Sequence, residues 1–258
     1  MFNFFKKVQP IENLKPKPIH QNYTNIKPIA EYFYNETGIT FDKQICILEN
    51  KVTSFCKQRK IHSFEKLFEG IKSNQKLKQE LIDYLTTNET YFYRELTQIK
   101  ELVILVKKQN KSIKILCAPS ATGEEPYSIV IALLEAAVSP NNINIIGIDI
   151  NQEALIKANT AIYAQKNIRN LSSSILNNYF VKKDDKYTLK ESVKSLVTFK
   201  LANIFDSSFK DLGKFDFIFS RNMLIYFDKQ TKQKAKIILE SMRKNKEYDV
   251  FFGHADLF

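Results

Sequence analysis

No stretch of this chain is apolar for long enough to cross a bilayer. The best candidate, residues 129–138, is interrupted by Glu135, whereas a spanning helix needs about 20 predominantly apolar residues. The N-terminus, MFNFFKKVQP, also lacks the apolar core of a signal peptide. Cysteine is scarce: Cys46, Cys56 and Cys117 form no Cys-x-x-Cys pair. That argues for the reducing cytoplasm and against a disulfide framework or a zinc site. His20, His62 and His254 are too scattered to suggest a cluster, so no metal is expected.

With 258 residues the chain can bury one full α/β domain and something smaller beside it. A hydrophobic share of 44% and a charged share of 26% place it among ordinary soluble globular proteins. The net charge of +11 raises the question of nucleic acid, and its distribution answers it. Residues 1–30 hold five lysines against one glutamate, and residues 31–90 are neutral, with nine charges of each sign. Residues 91–258 carry the remaining +7. One local concentration lies at Lys51, Lys57, Arg59, Lys60 and Lys66. So spread an excess describes a solvated basic surface with a mild preference for acidic partners.

Residues 1–26 carry Pro10, Pro16 and Pro18 among lysines and asparagines and read as an extended lead-in. From 27 to 90 the pattern is helical. Phe41, Ile45, Leu48, Val52 and Phe55 recur at three- and four-residue spacing along one apolar face. Phe64, Leu67, Phe68 and Ile71 predict a second helix, and Leu77, Leu81, Ile82 and Leu85 a third. Beyond 91 the texture changes. Strands are predicted at 113–118, 144–149, 196–201, 215–220 and 249–253, and helices at 96–108, 124–138, 151–162 and 228–244. Such alternation implies right-handed crossovers and a mainly parallel sheet. Residues 163–195 interrupt it and read as an insertion, a helix plus a small antiparallel excursion.

The informative corner is SATGEEPYS, residues 120–128, between a strand and a helix. A strand, a glycine turn and a helix build nucleotide-binding corners. Here Gly123 stands alone, without the second glycine of a dinucleotide fingerprint and without a P-loop lysine. Two glutamates follow it, and phosphates are poorly served by neighbouring carboxylates. Asp149 ends the next strand, 26 residues after Gly123, where an acidic side chain binds a ribose diol. S-adenosylmethionine meets these constraints: it carries a ribose but no phosphate, and an ammonium lies near its sulfonium. A second reading of Glu124 and Glu125 is that they only complement the helix dipole.

At this point the sequence resembles a known family, the CheR-type chemotaxis methyltransferases. The resemblance rests on TTNETYFYRE (86–95), SATGEEPYS (120–128), GIDI with its following helix and AIY (161–163), FDFIFSRNMLIYFDKQT (215–231) and GHADLF (253–258). It spans about residues 28–258 in the family's order. It implies a Rossmann-like α/β methyltransferase domain over 91–258, a small all-α N-terminal domain over 27–90, and an inserted β-subdomain at 163–195. It also implies transfer of a methyl group from S-adenosylmethionine to glutamate side chains of chemoreceptors. Carried over by position, the cofactor contacts fall on Asn88, Thr90, Arg94, Glu125, Asp149, Asn203, Ile204, Arg221 and Asn222, and the catalytic pair on Arg94 and Tyr226. Asn88 has a second reading as a helix cap.

The chain departs from the family pattern in four places. The receptor-facing helix, usually rich in arginine, offers Lys51 and Lys57 with Arg59 and Lys60 nearby as docking residues. The insertion lacks the glycines of members that grip a receptor's C-terminal pentapeptide, so pentapeptide-independent action is expected. NKEY replaces a Pro-Gly-Gly turn, and one more strand is expected after GHADLF. A nucleic-acid methyltransferase is disfavoured because SRNMLIY lacks the prolines of the amino-methylating motif. A non-catalytic sensor of S-adenosylmethionine is the alternative, and a monomer the default.

Overall fold

The computed structural model describes residues 22–109 and 111–256. Most of the lead-in expected over 1–26 therefore lies outside the described residues, as do the last two residues of GHADLF. Four helices come first: α1 (Lys27–Thr37), α2 (Ile45–Gln58), α3 (Phe64–Ser73) and α4 (Gln75–Leu85). Several of their boundaries have a local cause. Pro28 sits in the first turn of α1, and Gly38 ends that helix at φ +75° with its N–H on the Tyr34 carbonyl. Ser63 caps α3 through the Lys66 N–H, and Asn74 caps α4 through the Leu77 N–H.

Ile29, Phe33, Leu48, Val52, Phe55, Phe64, Leu67, Ile71, Leu81 and Leu85 form one buried cluster among these helices. Burying each of these side chains is worth about 1.5–3 kcal/mol before entropy is counted. Two differences from the expected pattern stand out. Phe41, expected on the apolar face of α2, lies ahead of that helix and packs against the cluster from the preceding loop. Ile45, expected on the buried face of α2, is 40% exposed because the helix enters the bundle only from Leu48 onward.

The second part alternates as predicted. It contains α5 (Leu96–Gln109), β1 (Ile113–Cys117), α6 (Glu124–Glu135), β2 (Ile143–Asp149) and α7 (Gln152–Thr160). After the insertion come β6 (Val197–Leu201), β7 (Phe217–Ser220), α10 (Lys229–Ser241) and β8 (Phe251–Phe252). Every pairing in this sheet is parallel, and the strand order is β6-β2-β1-β7-β8. Side chains alternate between two cores. Ile115, Cys117, Phe217 and Phe219 join the core beneath α5 and α6, while Leu116, Ile146, Ile148 and Ile218 join the core beneath α10. The insertion holds β3 (Ile162–Ala164), α8 (Ser173–Tyr179), β4 (Phe180–Lys183), β5 (Lys186–Leu189) and α9 (Glu191–Lys194). Its antiparallel sheet runs β3-β5-β4 and starts at Ile162, which the sequence pattern assigns to the end of the preceding helix.

The order of the main sheet reverses beside β1, and ligands of open parallel sheets bind at the strand ends of that reversal. Gly123 makes the corner there. It lies at φ +93°, and an added Cβ would come within 3.0 Å of Ala158 Cβ and 3.1 Å of the Phe199 and Tyr127 rings. Gly123→Ala should therefore lower stability by roughly 2 kcal/mol, from left-handed backbone cost and crowding together. A melting temperature equal to the parent's would show that the corner does not need glycine.

Candidate active site

The carboxyl ends of β1, β2, β6 and β7 surround a cavity of about 380 Å³. Ile47 and Lys51 of α2, with Gln44 just ahead of that helix, close it from the helical side, and residues 85–90 form another wall. Each residue assigned to the cofactor lines it. Asn88 and Thr90 come from the linker and Arg94 from the turn before α5. Glu125 comes from the first turn of α6, and Asp149 from the end of β2. Asn203 and Ile204 follow β6, and Arg221 and Asn222 follow β7. Tyr226 lines the same space.

Glu125 and Arg221 form the buried centre. Arg221 donates from Nε to Glu125 Oε2, and the two side chains are 2% and 11% exposed. The other end of the guanidinium donates to the carbonyl of Arg94 at 2.9 Å and of Glu95 at 3.3 Å. Arg221 thus serves the site from behind: it holds Glu125 and shapes the turn that carries Arg94. That turn needs help, since Tyr93 and Glu95 both lie at positive φ. Glu125 Oε1 is buried with no hydrogen-bond partner. Burial raises the pKa of Glu125, and the charge and hydrogen bond of Arg221 oppose the rise.

Glu124 corrects the sequence argument. Its carboxylate accepts from Thr122 Oγ1 at 2.6 Å and from Asn167 Nδ2 at 2.7 Å, so it ties the corner to the insertion. Only one glutamate of the pair therefore serves the cavity. The reason is helical geometry: adjacent residues point about 100° apart.

Asp149 accepts N–H groups of Ala121 at 2.8 Å and Asn151 at 2.9 Å. Burial pushes its carboxyl up to about 6, and these hydrogen bonds limit the rise. Asn203 is committed to structure through its side chain: Nδ2 donates to the Glu36 carbonyl at 2.7 Å, and Oδ1 accepts the Phe205 N–H at 3.0 Å. Asn88 caps no helix, since the next one begins at Leu96.

Arg94 donates to the Glu89 carbonyl at 3.1 Å, and its guanidinium lies 5.8 Å from the Tyr91 ring centre. Tyr226 is 37% exposed. Burial raises its pKa, and the charge of Arg94 is the leading opposing influence. Its carbonyl accepts the Thr40 N–H at 3.0 Å, so the loop after α1 steadies it.

The docking residues do not come together. Lys51 sits at the cavity, with Nζ 3.5 Å from the Leu85 carbonyl. Lys57 and Lys60 are exposed at the far end of α2. Arg59 pairs with Glu80 at 2.8 Å and covers the Phe55 ring. Its charge is thereby partly spent within the bundle.

Sequence reasoning missed Asp256. This buried carboxylate accepts the N–H of Asn222 (φ +59°), and those of Ile225 and Gly253, each at 3.2 Å. It fixes the turn that presents Tyr226. GHADLF was noted as a whole, but no spacing marked this acid. Asn151 was missed too: it caps α7 and donates to the Asp83 carbonyl at 3.0 Å and Thr86 Oγ1 at 2.7 Å, joining the helices to the end of β2.

A parallel sheet in this order, with an acid closing β2 and a carboxylate under the glycine corner, defines a Rossmann-like methyltransferase that uses S-adenosylmethionine. Residues 88–258 match the family described as CheR methyltransferase, SAM binding domain. The chain is 38% identical over 224 residues to a Chemotaxis protein methyltransferase of Campylobacter jejuni, covering 86% of this chain and 84% of that one. Chemotaxis protein methyltransferase 2 of Vibrio cholerae is 34% identical over 90% of this chain and 85% of its own. The Borreliella burgdorferi counterpart is 32% identical over 88% and 86%. This chain belongs to the CheR methyltransferase family.

Two outcomes follow from the site. Asp149 is an acid whose pKa rises on folding from 3.8 to about 6. Its ionisation costs the ligand-free fold stability as pH rises through that interval, and the cost is complete above about pH 6. A ribose diol donates to the ionised form. Cofactor affinity should hold above pH 6 and fall below it, approaching tenfold per pH unit, with Asp149→Asn both weaker and flat. Calorimetric titration from pH 5 to 8 checks this, and parental affinity in Asp149→Asn would remove Asp149 from the ribose. Separately, Asp256→Ala orphans several backbone donors and should cost roughly 2–4 kcal/mol. Parental denaturant stability would mean that the turn holds without it.

Proposed function

We propose that the enzyme methylates glutamate side chains on the cytoplasmic part of chemoreceptors, forming glutamyl methyl esters. The observation that carries this reading is the convergence of Arg94 and Tyr226 on the cavity that Glu125 and Asp149 also line. A planar guanidinium matches a carboxylate. Among the described residues no histidine or cysteine lines the space, and none is needed, because a glutamate is already ionised at pH 7.

The residues fit S-adenosylmethionine. The unpartnered Oε1 of Glu125 suits its ammonium, Asp149 suits its ribose diol, and Asn88, Thr90, Ile204 and Asn222 complete the walls. When bound, it supplies an electrophilic methyl group. The protein's part is orientation, with Arg94 positioning a carboxylate and the Tyr226 hydroxyl bordering the acceptor's place. A very tight grip by Arg94 would blunt the nucleophile, so positioning outweighs activation in its role.

Lys51 and the basic end of α2 support docking on an acidic helical surface, with more effect on association rate than on affinity. The insertion supports action without a receptor pentapeptide: it has no glycine, and Asp184 at φ +54° takes its hairpin turn. A binding-only sensor would have no use for Tyr226 beside the cofactor walls.

The test uses methyl-labelled S-adenosylmethionine and receptor-containing membranes, followed by mild alkali. Label on a receptor band should be released as methanol, because esters hydrolyse under base and N-methyl groups do not. Arg94→Ala should lower kcat/KM by about 10²–10³-fold. Alkali-stable label would mean that the acceptor is not a carboxylate.

A further inference from the structure

A second depression, of about 870 Å³, lies between residues 204–210 and the stretch 229–238 of α10. Its exposed wall is largely apolar. Phe205 and Ile238 form the floor, and Ile237 is 56% exposed at the edge. Lys210, Lys229 and Lys234 surround it, all three exposed. Among the described residues none of these lysines is in a salt bridge, and Asp206 is the only acid in the lining. Lys234 lies 5.2 Å from the Phe205 ring centre, placing its charge directly over the apolar floor.

We propose that this groove docks an acidic amphipathic helix of a partner protein, apolar stripe inward and carboxylates toward the lysines. Exposed apolar surface ringed by one sign of charge is the mark of an interaction site. Concavity selects the occupant: a helix supplies a ridge of side chains at three- and four-residue spacing, whereas a bilayer presents no ridge. The chain's own first 30 residues carry five lysines and one glutamate, so they would be repelled. A second copy would set one lysine rim against another.

The groove also touches the active site. Ile204 lines both cavities, and the Phe205 ring packs at 5.5 Å against Phe227, which borders the cofactor cavity. A docked helix would thus press on a shared wall. This is independent of which carboxylate the enzyme methylates.

The probe is a labelled synthetic helix of about 18 residues with leucines at i, i+3, i+4 and i+7 and glutamates flanking them. Anisotropy should show saturable binding to the full chain, weakening as salt rises. Lys229→Glu with Lys234→Glu, and separately Ile237→Asp, should each weaken it about tenfold or more. Unchanged melting temperature and cofactor affinity would show that both variants are folded. Absence of saturable binding, or equal binding to parent and variants, overturns the proposal. So does variant-sensitive binding of phosphatidylserine vesicles without peptide binding, which would make the occupant a membrane.

Discussion

The buried pair of Glu125 and Arg221 is the contact on which the site depends. It joins the first turn of α6 to the residue after β7, across the strand ends where the sheet order reverses. One guanidinium neutralises a carboxylate and also satisfies two carbonyls of the turn that carries Arg94. Removing one partner of such a pair leaves an uncompensated charge, at a cost of about 3–5 kcal/mol. The arrangement leaves one oxygen of Glu125 unsatisfied. An unsatisfied buried acceptor is a cost to the fold.

Around that centre the helical layer does more than cover the sheet. Tyr34 donates to Asp228 at 2.7 Å, Asn203 reaches the Glu36 carbonyl, and Ile39 bridges to Phe227. On the other flank Asn151, Gln79 and Asp83 bind α4 to the end of β2. These are polar contacts beside a cavity, not an extension of either apolar core. The cavity therefore has walls from both parts, and α2 reaches it with Ile47 and Lys51. The helical layer and the strand ends of the sheet share one opening.

Secondary structure was legible wherever packing and local propensity agreed. Parallel strands buried on both faces read as apolar runs, and Ile113, Ile145 and Phe217 fell within predicted strands. Phe41 reads as part of the α2 face because its spacing fits, yet the helix begins only at Ile45. Ile162 was assigned to a helix because its strand exists only through pairing with Thr188, far along the chain. Arg59 read as a docking charge, yet its partner Glu80 lies on another helix.

The α/β class, the glycine corner, the acid that closes β2 and the residue types of the site are legible in the chain because they depend on short spacings and local backbone demands. What each charge does follows from the folded arrangement. Glu124 and Glu125 are neighbours in sequence and look alike there, but one bonds the insertion and the other meets Arg221. Asp256 became a clamp only when the last strand brought it beneath the turn of Asn222 and Ile225. Burial, hydrogen-bond partners and cavity walls arise from contacts between distant segments, and a linear pattern carries no record of which segment will arrive.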